Sequence, residues 1–367
     1  MRRALLALHR AAYERLLRPL IFRASAEAAH RGMLRALALL DGWGWACACL
    51  RALGGAAGCT ADAPLPPFIL AAGLVKGRGF ADEAAALRAV AAGENIMPGW
   101  RSVPALVGAV EFGSFTRAPR LGNAGVVLWR SVETRSTQNR VGLKNPGVHA
   151  AAAFLARHQR HLPPVYGINI AVTPGVSDTA RSVAELEEGI GAFLVRGLRP
   201  AWFTLNLSCP NTEDDPGAHQ TTAHARALCS AARARLGDAA PLWVKISPDL
   251  GADQLAALMA VFAETGVAAV IATNTLPLPS PDDTGLTAGV GGGHLHMAAL
   301  ESVRQLSAAR AALGCDVRII GCGGVLDGES ARALRAAGAD ALQYWSALVY
   351  RGPLAAAVIQ QEMDDGR

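Results

Sequence analysis

Beyond Pro67 the chain repeats one unit: a short run rich in β-branched and aromatic residues, then a longer stretch with apolar residues at helical spacing. The β-rich runs fall at 68–72, 109–115, 165–172, 202–208, 242–246, 268–273, 317–321 and 341–345, and the helical patterns at 81–92, 150–161, 183–196, 223–236, 252–264, 298–313, 329–337 and 353–363. Eight strand–helix units over roughly 300 residues fit an α/β fold of the (β/α)8 TIM-barrel type, in which each helix serves as the crossover between parallel strands. A doubly wound open sheet is the alternative.

The remaining sequence narrows the class. At 367 residues and 51% apolar composition the chain can bury a large core. It has no uncharged apolar run of about 18 residues, so a spanning helix is not expected. Seven cysteines follow neither zinc-finger nor disulfide-framework spacing, which points to a reducing compartment and to no metal site. The net charge of +5 is spread over scattered arginines rather than a basic stripe, and this argues against nucleic acid as a partner.

Residues 1–60 read as a small helical module and 61–367 as the barrel, with the Gly/Ala-rich stretch at 53–58 and the PLPP at 64–67 as the boundary. The first 35 residues hold eight Arg and two Glu. Leu5, Leu8, Ala12 and Leu16 recur at helical spacing beside Leu6, Tyr13, Leu17 and Leu20, while Arg10, Glu14 and Arg18 form a charged flank. Such a helix can dock its apolar face on the protein's own core, lie on an anionic membrane surface, or serve as a targeting peptide. A second helix is expected over 26–40.

A barrel places its chemistry on the loops that follow the strands. Polar residues stand there: Lys76 after the first run, Ser114 and Thr116 at the second, Asn169 in the third, and Asn206, Ser208, Cys209 and Asn211 at the fourth. Lys245 ends the fifth, Thr273, Asn274 and Thr275 end the sixth, and Ser346 closes the eighth. A single Asn at a strand end is usually a cap, and a lone Cys a small buried hydrophobe. The same feature at five or six strand ends describes a site, since burying such groups without partners costs several kcal/mol each. Glycine-rich loops are expected at AGVGGG (288–293) and GCGG (321–324), where their backbone N–H groups suit a phosphorylated ligand.

These residues carry a resemblance. LAAGLVK, GINI, NLSCPNT, VKISPDL, ATNT, IIGCGG and YWS, in this order, resemble the strand-end motifs of the dihydroorotate dehydrogenases, FMN-dependent barrel enzymes of pyrimidine synthesis. LRPLIFRASAEAAH (17–30) is similar to the N-terminal helical signature of their membrane-associated, quinone-reducing class. The resemblance implies that Lys76, Asn139, Asn206, Asn211, Asn274 and Thr275 face dihydroorotate or orotate. It implies FMN contacts from Ala71, Ala72, Gly73, Ser114, Asn169, Asn206, Lys245, Thr273, Gly292, Gly324, Trp345 and Ser346. It further implies a quinone route past His30 and Arg130, and a peripheral site on the cytoplasmic face of a bacterial inner membrane, with the mitochondrial inner membrane as the alternative.

Oxidising dihydroorotate removes a proton from C5 and a hydride from C6, so the resemblance makes Cys209 the catalytic base. A thiol has an ordinary pKa near 8.5, within reach of neutral pH. The chain also departs from the pattern. The quinone-reducing class usually carries Ser at position 209 and Cys marks the soluble class. The usual Gly-Lys-Asn-Lys after GINI is replaced by AVTPG (171–175), Gly291 stands where a Leu-Ser-Gly loop has Ser, and about 18 extra residues lie between Lys76 and Trp100. A related dihydropyrimidine substrate, a soluble acceptor, or a non-catalytic flavin-binding role are the competing readings.

Overall fold

The computed structural model describes residues 2–54, 65–176, 178–207 and 221–366. Its strands are β1 (Phe68–Leu70), β2 (Val110–Phe115), β3 (Leu128–Ser131), β4 (Ser136–Asn139), β5 (Tyr166–Ala171), β6 (Trp202–Asn206), β7 (Leu242–Ile246), β8 (Ala269–Ala272), β9 (Leu276–Pro279), β10 (Thr287–Gly292), β11 (Arg318–Cys322) and β12 (Ala341–Tyr344).

Eight of these close a barrel in the order β1-β12-β11-β8-β7-β6-β5-β2, with parallel pairing at every step, which settles the choice against an open sheet. All eight expected β-rich runs are barrel strands. They are legible because a strand covered by helices on one face and by the barrel core on the other reads as a nearly continuous apolar run, as in Ala269-Val-Ile-Ala272. Helix Ala252–Glu264 covers its expected span, and the other seven expected helices are present with shifted ends.

A second, antiparallel sheet in the order β3-β4-β10-β9 was not anticipated. The expected glycine-rich loop at 288–293 is in fact mostly β10, a correction with a physical cause. Thr287–Gly292 has little intrinsic strand propensity, and it is held extended by β4 on one side and β9 on the other. Pro277 and Pro279 sit in β9, an edge strand, where a missing N–H is tolerated.

The N-terminal helices dock in an unexpected orientation. In the helical run from Arg2 to Ile21, Leu6 and Tyr13 are buried, and Leu6 packs with Leu354, Ala357 and Val358 of the C-terminal region. The charged flank faces the barrel as well: Arg10 pairs with Glu362 at 3.1 Å, Glu14 with the buried Arg351 at 2.6 Å, and Arg18 donates to Tyr350 O at 3.1 Å. Leu5, Leu8, Leu16, Leu17 and Leu20 point outward, between 41% and 68% exposed. Of the three readings of this helix, docking on the protein's own core therefore holds for Leu6 and Tyr13 and not for these five leucines.

Helix Ala26–Asp41, N-capped by Ser25, is fixed at its other end by Asp41. This buried carboxylate accepts from Asn95 Nδ2 (2.9 Å), the backbone N–H groups of Gly99 (2.7 Å), Arg101 (3.2 Å) and Ser102 (2.9 Å), and Ser102 Oγ (2.8 Å). Two of these partners, Asn95 and Gly99, belong to the extra segment between Lys76 and Trp100, which also forms helix Glu83–Ala91. The insertion thus builds part of the seat for the helical module.

Candidate active site at the barrel rim

Most of the polar residues expected at strand ends meet at one rim. Asn206, at the end of β6, donates from Nδ2 to Ser114 Oγ of β2 at 3.3 Å and accepts at Oδ1 from Asn274 Nδ2, just past β8, at 3.4 Å. Asn274 Oδ1 in turn accepts the Thr275 N–H at 2.9 Å. A chain of hydroxyl and amides therefore spans three strands that are not neighbours in sequence.

Below this chain lies a buried polar cluster that the sequence reading missed. Glu111 of β2 is fully buried, and its carboxylate accepts from Asn169 Nδ2 (3.3 Å), Trp202 Nε1 (3.1 Å), Gln343 Nε2 (3.4 Å) and Thr204 Oγ1. Donating from Nε2 leaves the Gln343 carbonyl facing Lys245, whose Nζ donates to it at 3.5 Å and to Cys322 Sγ at 3.8 Å. Burial pushes the Cys322 thiol pKa up, and the Lys245 ammonium works against that rise. The signal was present in the sequence: Glu111 and Gln343 interrupt otherwise apolar barrel strands, a placement tolerated only with full hydrogen bonding.

Gly292 stands beside Ser346, and Gly324 packs against Gly292 and His296. Gly292 has φ +89°, and a Cβ there would lie 2.4 Å from Arg135 O and 3.1 Å from Ser346 Oγ. Gly324 has φ +66°, and a Cβ there would lie 2.5 Å from His296 Cβ and 2.9 Å from Gly292 O. Protein atoms fill the space a Cβ would need at either position, so only glycine fits there. Ala71, Ala72 and Gly73 follow β1, and Gly73 N donates to Gly113 O at 2.7 Å. A Cβ on Gly73 would stand 3.6 Å from the Trp345 indole nitrogen. Thr273 follows β8 and is fully buried.

Other expected residues lie further out. Asn139 is carried by β4 of the second sheet, where its amide donates to Gly289 O at 3.5 Å. His30 and Arg130 occupy different stretches of the seam between module and barrel. Burial pushes the His30 imidazole down to about 4, with the Lys76 and Lys144 ammonium groups adding to the effect and Glu27 opposing it. Arg130 stacks its guanidinium 4.3 Å from the Phe22 ring centroid and donates to Ala24 O. Cys209 and Asn211 fall outside the described residues.

Fold and site together define a (β/α)8-barrel protein that gathers amides, hydroxyls and a buried ammonium at the C-terminal ends of its strands. The chain belongs to the dihydroorotate dehydrogenase family: the family model of that description matches residues 67–366. A Novosphingobium aromaticivorans protein named dihydroorotate dehydrogenase (quinone) is 30% identical over 355 residues, covering 92% of this chain and 90% of the relative. One of the same name from Sphingopyxis alaskensis is 36% identical over 255 residues, covering 67% of this chain and 68% of its own. The crystal structure of the Eimeria tenella enzyme, solved with ferulenol, superposes with a TM-score of 0.65 at 25% identity, over 81% of this chain and 80% of that one.

Proposed function

We propose that the protein is an FMN-dependent dihydroorotate dehydrogenase of pyrimidine biosynthesis that oxidises dihydroorotate to orotate and passes the electrons to a membrane quinone. Family membership gives the frame. The observation that carries the reading is the Ser114–Asn206–Asn274 chain beside Lys245, because a cyclic imide shut away from water needs an amide partner for each of its C=O and N–H groups.

The residues fit flavin mononucleotide. Asn169 Oδ1 is buried without a hydrogen-bond partner among the described residues, although the same amide's Nδ2 is held by Glu111. An acceptor left idle in this way suits a donor on a bound ring. Ala71, Ala72, Gly73, Ser114, Asn206, Thr273 and Trp345 would surround the ring system, and Gly292, Gly324 and Ser346 its phosphate. When bound, the flavin supplies the acceptor for the hydride from C6. Cys209 takes the C5 proton as the C5=C6 bond forms, Lys76 with Asn139, Asn206, Asn211, Asn274 and Thr275 holds the substrate, and the Lys245 ammonium favours negative charge at the buried rim.

The outward leucines of the helical module, together with Trp43 and Trp45, stacked at 6.2 Å and 51% and 70% exposed, support a peripheral membrane surface. Among the described residues no single helix is long and apolar enough to cross a membrane. Residues 1–60 would then admit a quinone along the seam past His30 and Arg130, on the cytoplasmic face of a bacterial inner membrane. Purified protein should be yellow, and anaerobic dihydroorotate should bleach it. Yellow protein that does not bleach with dihydroorotate but does with another dihydropyrimidine moves the substrate assignment; colourless protein that binds no added flavin ends the reading.

A further inference from the structure

We infer that Thr137 is a direct ligand of the cofactor's phosphate, supplying from β4 a hydroxyl that the glycine at position 291 cannot. The inference rests on the flavin reading above and extends it to a residue with no role so far. Thr137 is paired with Gly291 across the β4–β10 ladder. Its Oγ1 lies 2.7 Å from Ser346 Oγ, which stands beside Gly292. Either hydroxyl can be the donor in that bond, and an anionic oxygen is a better acceptor than a hydroxyl, so both protons can turn to one anion that reaches the pair.

The setting suits a phosphate: Ser346 Oγ would lie 3.1 Å from a Cβ at Gly292, so the two hydroxyls stand against glycine backbone of the kind whose N–H groups receive phosphate oxygens. The position of the hydroxyl is also exchangeable. A Cβ built on Gly291 would stand 3.8 Å from Thr137 Oγ1 and 3.6 Å from Ser346 Oγ, ordinary contact distances, so a serine side chain at 291 enters the same space from the neighbouring strand. β4 therefore serves the rim at two points, with Thr137 at the phosphate and Asn139, two residues on and on the same face of the strand, toward the substrate.

Riboflavin is the probe, because it differs from FMN only by lacking the phosphate. Full-length protein stripped of flavin is titrated with FMN and with riboflavin, each followed by quenching of flavin fluorescence. The expected result is that Thr137→Val weakens FMN binding about tenfold to a hundredfold and leaves riboflavin affinity unchanged, as loss of a charge-assisted hydrogen bond requires. Thr137→Ser should keep the FMN preference, and Gly291→Ser added to Thr137→Val should restore it. An unchanged FMN-to-riboflavin ratio in Thr137→Val, with only a lower melting temperature, would make the hydroxyl a tie between β4 and the Ser346 segment and overturn the inference. A Thr137→Ser variant as impaired as Thr137→Val would overturn it too. If the unmodified protein binds neither flavin, the flavin reading itself falls, a result distinct from a lost preference for phosphate.

Discussion

The barrel and the N-terminal helices solve opposite packing problems. The barrel hides apolar side chains and, within them, a polar cluster in which Glu111 accepts four hydrogen bonds. The helical run from Arg2 to Ile21 attaches largely by charge, through Arg10, Glu14 and Arg18, and turns most of its leucines outward. Burying a leucine contributes about 1.5–3 kcal/mol, so five left outside represent a large driving force without an internal partner. The difference teaches that the two regions are held by different forces, and the outward leucines fit the membrane surface proposed above.

The sharpest division between the regions comes from the proposed base. Cys209→Ala should lower turnover about 10² to 10⁴-fold while flavin content and liposome binding stay unchanged, and Cys209→Ser should keep partial activity with an optimum at higher pH. Normal steady-state turnover in Cys209→Ala would remove the residue from that role. Next in size is Glu111→Ala, which leaves four buried donors without their acceptor and should cost about 3 kcal/mol or more in urea unfolding. A change below about 1 kcal/mol would show that the cluster reorganises freely, and the contrast with the module would weaken.

The outer face of the module should respond in the reverse sense. Leu8→Glu with Leu16→Glu, at positions 68% and 64% exposed, should leave the melting temperature within a degree or two of the parent and leave dihydroorotate-driven flavin reduction intact. Binding to anionic liposomes and reduction of a long-chain quinone should fall together, by at least about tenfold. If the melting temperature falls instead, these leucines pack against protein and the proposed membrane face is wrong.

A further effect, confined to acid pH, concerns the seam. The His30 pKa in the folded protein, about 4, lies below its ordinary value of 6.5, so between these values the unfolded chain binds more protons. Stability should therefore be complete above pH 6.5 and decline as the pH drops toward 4, by about 2 kcal/mol between pH 7 and pH 5 from this residue. Replacing His30 with Gln should flatten that part of the profile; an identical slope in the variant would show that His30 titrates as if in water.

How legible each region was follows from how local its determinants are. Apolar runs such as 242–246 and 268–273 announced the barrel because their burial on both faces leaves no polar alternation. The rim residues were legible one by one from strand ends and from the family motifs, and Ser114, Asn206 and Asn274 do form one connected chain. β9 and β10 were not legible, since prolines and glycines specify no strand until a partner holds them.

The sequence by itself determined the eight-strand barrel, the N-terminal helices and the placing of Ser114, Asn206 and Asn274 at strand ends, because periodicity and strand-end chemistry are properties of short segments. Only the tertiary structure decided that the charged flank of the first helices faces inward, that Asp41 draws five donors from a distant loop, that Glu111 organises the barrel interior, and that Thr137 stands beside Ser346. Each of these depends on which groups meet across gaps of 50 residues or more, and the energy of such a meeting is set by geometry and lost water, neither of which a local pattern encodes.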